Sequence, residues 1–205
     1  FCLNVGVPSA LAMGLVRRRR FDFLDDDIDQ FSHGASRLAV FETGNGLGQR
    51  NGDVLKMKWS DYDGEWLHVE QGKTGAEVNL PVHLLQPLKQ VIDIQPKVGP
   101  TIFTTPTGKA WNRSNLHRNF NPHRVKTEAD DLHWHDLRGT LVSMLGEAGC
   151  TEIQIEAVTG HSVVNSQVGG YLNMGGNLAI EAYSKLDEFL LQKQTNYFLI
   201  SNGIY

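Results

Sequence analysis

His135 and Arg138 stand three residues apart in the run His135-Asp136-Leu137-Arg138-Gly139-Thr140. Their neighbours Leu137, Leu141, Val142, Met144 and Leu145 recur at helical spacing, so the two polar residues share one face of an amphipathic helix, about one turn apart. His161 follows in Gly160-His161, and Tyr171 in Tyr171-Leu172. A planar guanidinium grips two phosphate oxygens at once, imidazoles move protons or donate hydrogen bonds, and a phenol can act as a nucleophile. Such a set could break a phosphodiester without a metal ion.

These residues need elements to hold them. Gly149 predicts the end of the His135–Arg138 helix. A second, short helix then starts at Thr151, whose N-cap is completed by Gln154, turns Ile155 and Val158 to the core, and stops at Gly160. That presents His161 just past a helix end. Asn177–Leu191 reads as an amphipathic helix with Leu178, Ile180, Ala182, Tyr183, Leu186, Phe189 and Leu190 along its apolar side. Tyr183 is the rival to Tyr171 as nucleophile, but its place in that stripe assigns it to the core. Thr195–Tyr205 is an apolar tail expected to dock on a partner.

Upstream, Leu24–His33 begins with Asp25, Asp26 and Asp27, acids that favour a helix start, and Ser36–Phe41 continues as apolar helix. Thr43–Gln49 carries Gly44, Gly46 and Gly48 and is expected to be a flexible turn; it lacks the Gly-Lys-Ser/Thr ending of a phosphate-binding loop. Leu55, Met57 and Trp59 are expected in the core. Trp66–Val69 and Glu77–Pro81 alternate in polarity, and Gly72-Lys73-Thr74-Gly75 between them predicts a hairpin turn. Leu84–Ile94 reads as a surface helix and Thr101–Phe103 as a short strand. Asn112–Val125 is a polar helix bearing Arg113, His117, Arg118, His123 and Arg124. His133 and His135 lack a third ligand at a metal-binding spacing.

Composition narrows the class. A chain of 205 residues can bury one sizeable domain. Its 40% hydrophobic and 20% charged residues suit a globular fold. The net charge of −4 argues against coating nucleic acid through bulk charge, so any such binding must use a local basic surface. Two cysteines, Cys2 and Cys150, make no disulfide framework and fit a reducing compartment. No apolar run reaches membrane-spanning length. Residue 1 is Phe, and Arg17–Arg20 comes after the apolar start rather than before it, the reverse of a signal peptide. Residues 1–20 are therefore read as a linker or the end of an upstream segment.

The ordered set resembles the tyrosine recombinase (phage integrase) family. His135-x-x-Arg138, Gly160-His161 and Tyr171 match its C-terminal motifs, and Arg50-Asn51-Gly52-Asp53 through Leu55 and Trp59 resembles its first motif. Here Thr43-Gly44 is separated from Arg50 by more residues than the family's short Thr-Gly-x-Arg form. Lys73, in a turn before Thr74-Gly75, matches the family's hairpin lysine.

The resemblance implies a mainly helical α+β fold with a small antiparallel sheet, like the DNA breaking-rejoining catalytic domain, over residues 21–191. Residues 192–205 would then be a tail able to dock on a neighbouring protomer. It implies a site-specific DNA recombinase that cleaves and rejoins through a 3′-phosphotyrosyl link, with no cofactor, metal or ATP. Arg50 and Arg138 would clamp the phosphate, with Asp53 orienting Arg50. Lys73 would protonate the leaving 5′ oxygen, His135 would accept the tyrosine proton, His161 would bond a phosphate oxygen, and Tyr171 would attack. Arg17, Arg18, Arg113, Arg118 and Arg124 are the candidate DNA-backbone contacts. Double-stranded DNA and further copies of the chain, up to a tetrameric synapse, would be the partners, in the bacterial cytoplasm at the nucleoid and away from membranes. Two alternatives share parts of this pattern: a type IB topoisomerase-like nicking-closing enzyme, and a DNA-binding module whose catalysis has decayed.

Overall fold

The computed structural model describes residues 46–105, 107–118, 133–160 and 175–201. The expected helices over Leu24–His33 and Ser36–Phe41 lie outside them. The described part is mainly helical, with one two-stranded antiparallel sheet.

Gly46 and Leu47 are helical, and Gly48 turns the chain at φ +62°. The described part of the glycine segment differs from the expected flexible turn, because Gly46, Leu47, Gly48 and Gln49 are all buried. A β-carbon at Gly48 would collide with Leu141. Glycine is used here for close approach as well as for its dihedral angle. A single helical turn, α1 (Asn51–Val54), follows with Arg50 at its N-cap.

The hairpin forms as expected, with β1 (Leu67–Glu70) and β2 (Glu77–Leu80) in antiparallel register, Leu67 opposite Leu80 and Val69 opposite Val78. Alternation places these four residues inward and His68, Glu70, Glu77 and Asn79 outward. Helix α2 (Gln86–Asp93) starts with Pro87 in its first turn and buries Leu88, Val91 and Ile92. In place of the strand expected over Thr101–Phe103, Thr101 makes an isolated bridge to Lys58, and the following Thr104 makes another to Ala110. The segment is pinned by Ile102 N to Met57 O and Trp59 N to Pro100 O, but the chain enters a 3-10 turn at Trp59 and the ladder cannot extend. Of the polar helix expected over Asn112–Val125, residues 113–118 are described and helical.

Helix α3 (Trp134–Glu147) carries Leu137, Leu141, Met144 and Leu145 into the core and gives way to a left-handed Gly149 at φ +79°. Helix α4 (Glu152–Thr159) has the expected caps: the Thr151 hydroxyl accepts from Gln154 N, the Gln154 carboxamide accepts from Thr151 N, and Gly160 closes it at φ +62°. Helix α5 (Gly175–Ser201) is longer than the stretch expected from the apolar stripe. No proline or glycine interrupts residues 177–201, so nothing stops the helix where the stripe ends, and much of the supposed tail belongs to it. Among the described residues no helix is long and apolar enough to cross a membrane.

α5 packs on α4, β2 and α3. It is also locked polar-side: Gln154 Nε2 donates to Glu181, and Lys185 Nζ donates to Gln154 Oε1 and to the Gly149 carbonyl. Tyr183 is fully buried and its hydroxyl donates to the Gly46 carbonyl at 3.2 Å. Burial raises the pKa of this phenol above its ordinary value. Tyr183→Phe is expected to cost about 1 kcal/mol, read from the urea midpoint, because one buried acceptor loses its donor.

Candidate anion-binding site at the end of α4

A helix ends with carbonyls that have no partner within the helix and that carry its negative dipole end. Three side chains from distant parts of the chain converge on those of α4. Gln49 Nε2 donates to Val158 O at 2.7 Å, Gln71 Nε2 to Thr159 O at 2.7 Å, and Arg138 Nη2 to the same Thr159 O at 2.7 Å. This junction draws the loop before α1, the hairpin and α3 to one point.

Arg138 is only 2% exposed, and its Nε and Nη1 have no hydrogen-bond partner. Burial, then the nearby charge of Arg50, lowers its pKa to about 10, with Asp53 acting the other way. Buried donors left unpaired cost about 1–3 kcal/mol each. Two guanidiniums within electrostatic reach, one with free and desolvated N–H groups, make a site that an anionic oxygen would stabilise.

Arg50 sits at the N-cap of α1, where its carbonyl accepts from Asp53 N and Val54 N and its side chain is free to turn inward. Its Nη1 donates to Gln71 Oε1. The expectation that Asp53 orients Arg50 is corrected here. Asp53 Oδ1 accepts instead from Gly72 N at 2.9 Å, and its Oδ2 is buried without a partner. Being on the one-turn helix directs Asp53 toward the hairpin backbone, so it holds the turn that carries Lys73. Lys73 is exposed on that turn, which is closed by Gln71 N to Ala76 O and Gly75 N to Gln71 O.

His135 and Arg138 share a helix but not an environment. His135 is exposed in the first turn of α3. That turn is fastened by Asp136 Oδ2, which accepts from His133 N at 2.7 Å. Arg113 and Arg118 are exposed, and the Arg113 guanidinium lies beside Gly52 in α1. Among the described residues no group of three or more His, Cys, Asp or Glu side chains could hold a metal ion. His161, Tyr171, Arg17, Arg18 and Arg124 lie outside the described residues.

The residues missed from the sequence are Gln49 and Gln71, both buried, and the Val158 and Thr159 carbonyls that they respectively cap. Neither glutamine type nor its spacing signals such a role. The one hint is position: Gln49 directly precedes Arg50, and Gln71 lies two residues before Lys73.

Comparison with known proteins gives a consistent set of likenesses. Residues 21–174 match the sequence profile described as the phage integrase family. The chain is similar to the integrase of Enterobacteria phage 434, 30% identical over 125 residues, which is 56% of this chain and 35% of that protein. The integrase of Escherichia phage lambda matches over the same length at the same identity and coverage. A shorter stretch of 37 residues is 54% identical to the integrase of Escherichia phage HK022, covering 18% of this chain and 10% of that protein. The matched stretches thus span about a third or less of these relatives' lengths. Among solved structures, the lambda integrase catalytic core is 25% identical with a TM-score of 0.48, covering 63% of this chain and 92% of that one.

Proposed function

This chain belongs to the phage integrase family, and from that premise we propose that it is a site-specific DNA recombinase that breaks and rejoins strands through a 3′-phosphotyrosyl intermediate. The observation that carries the reading is the buried, half-unpartnered guanidinium of Arg138 with the charge of Arg50 beside it. Attack on a phosphodiester gathers negative charge on the non-bridging oxygens. Donors fixed in advance at that place supply much of the rate, because they need no reorganisation as the charge forms.

In this reading Arg50 and Arg138 clamp the scissile phosphate and His161 bonds one of its oxygens. Tyr171 Oη attacks phosphorus and gives up its proton to His135. The P–O5′ bond breaks, and Lys73 gives a proton to the departing 5′ oxygen. The new phosphotyrosyl ester conserves the energy of the broken bond, so rejoining runs by the reverse steps and draws on neither ATP nor a metal ion. Arg113 and Arg118, with Arg17, Arg18 and Arg124, follow the DNA backbone. Double-stranded attachment sites are the substrate, further copies of the chain complete the synapse up to a tetramer, and the setting is the bacterial cytoplasm at the nucleoid.

The test is a nicked duplex built on the attachment sequence flanking the source element, incubated in a chelator. Wild type is expected to form a covalent, protease-sensitive adduct, and Tyr171→Phe none. Tyr183→Phe is expected to form it at close to the wild-type rate. Adduct that persists in Tyr171→Phe would move the nucleophile elsewhere. DNA retention with no adduct from wild type would overturn the catalytic reading in favour of a binding module.

A further inference from the structure

We propose that Gln71 is a positioning residue that couples the Arg50 clamp to the turn carrying Lys73; the inference rests on the recombinase reading above. Gln71 is fully buried and every polar valence of its carboxamide is used. Nε2 donates to Gln49 Oε1 and to Thr159 O, both at 2.7 Å. Oε1 accepts from Arg50 Nη1 and, at 3.1 Å, from Thr74 Oγ1. Two neighbours independently fix the orientation of the amide. A guanidinium can only donate, so it demands Oε1, and a backbone carbonyl can only accept, so it demands Nε2.

The consequences follow from where those partners sit. Thr74 is the residue after Lys73, and the Thr159 carbonyl is the one that Arg138 also holds. One side chain is therefore a single hydrogen bond from Arg50, from the lysine turn and from the acceptor that seats Arg138. Glutamate of the same shape would face Gln49 Oε1 and Thr159 O with acceptors alone. Methionine would fill the space and make no bonds. Gln71 touches no reacting atom in this account; it sets how the phosphate clamp and the proton donor stand relative to one another.

The experiment separates the two halves of that role. The nicked duplex is prepared with either oxygen or sulfur at the 5′ bridging position of the scissile phosphate. Sulfur leaves as a thiolate and needs no proton, so loss of the general acid is not felt on that duplex. Gln71→Met is expected to form adduct about 100-fold slower than wild type on the oxygen duplex but only about tenfold slower on the sulfur duplex. Thr74→Val, at an exposed turn position, is expected to be about threefold slower on oxygen and at the wild-type rate on sulfur. Arg50→Ala should be slowed by the same factor on both. A purely structural role would slow Gln71→Met equally on the two duplexes, and that result, or equal slowing of Thr74→Val on both, would overturn the coupling. Wild type and Tyr171→Phe run alongside report on the underlying chemistry. If wild type forms no adduct on either duplex, the recombinase reading fails and this inference fails with it. If wild type forms adduct and the variants show no difference between duplexes, only this inference fails.

Discussion

Arg138→Met is expected to lower the rate of covalent adduct formation by on the order of a thousandfold while leaving the fold as stable as wild type or more so. The two effects have one source. In the folded chain the guanidinium is out of water, faces the like charge of Arg50, and has two nitrogens with no partner. Replacing a buried, incompletely compensated charge by an apolar side chain of similar volume is often neutral or stabilising by about 1–4 kcal/mol. Thr159 O keeps a donor in the variant, because Gln71 Nε2 still reaches it. The sign of the pH dependence agrees. With its pKa lowered to about 10 in the fold, Arg138 binds its proton less tightly than in the unfolded chain. The penalty is therefore carried in full at neutral pH and is relieved only as pH rises past about 10. At working pH, an anion in the site would relieve it. Urea unfolding of both proteins, with and without inorganic phosphate, checks this. Wild type should gain stability from phosphate and the variant should not. A loss of more than about 2 kcal/mol in Arg138→Met would instead assign the side chain a mainly structural role.

Gly160→Ala is expected to destabilise the protein by about 3 kcal/mol, which for a chain of this size lowers the melting temperature by on the order of 10 °C. Two costs add. The residue sits at φ +62°, where a β-carbon is strained, and that β-carbon would press on the Gln71 carboxamide and on Val78 Cγ2 at 2.8 Å. Gly149→Ala separates them. That residue is also left-handed, at φ +79°, but a β-carbon there meets nothing within 4 Å, so it should cost only about 1 kcal/mol. Similar losses at the two positions, read by thermal unfolding, would mean that the close approach of Gly160 to the hairpin carries no weight.

Much of this molecule is written locally. The Thr151–Gln154 cap and the Gly160 stop are short-range chemistry, visible in any stretch that has the right donors three residues apart. Alternation at Leu67, Val69, Val78 and Leu80 gave both strands and their inward faces, and helical spacing placed Leu141, Leu145, Tyr183 and Leu186 in the core. Spacing was less informative where the decision was not local. Thr101–Phe103 has strand-like residues but lacks a partner long enough to form a ladder. The glycines at 46 and 48 look like slack in the chain, yet they are buried, with Leu88 of α2 close against Gly46 and Leu141 of α3 close against Gly48.

The same division runs through the site. Residue type and order singled out His135, Arg138, His161 and Tyr171 as candidates, and the family resemblance added Arg50 and Lys73. Which partners hold Arg50 and Arg138 was decided only by the tertiary structure. Asp53, one helical turn from Arg50, turned out to bind the backbone of Gly72, and Arg50 is instead held by Gln71, 21 residues away. His135 and Arg138 share a helical face by spacing, yet one is exposed and the other buried, because burial depends on what α4 brings against that face. The physical reason is common to all of these. Periodicity and capping act between residues a few positions apart, whereas the unpaired carbonyls at the end of α4 can be satisfied from anywhere in the chain, and the long-range packing of loop, hairpin and α3 determines which side chains arrive.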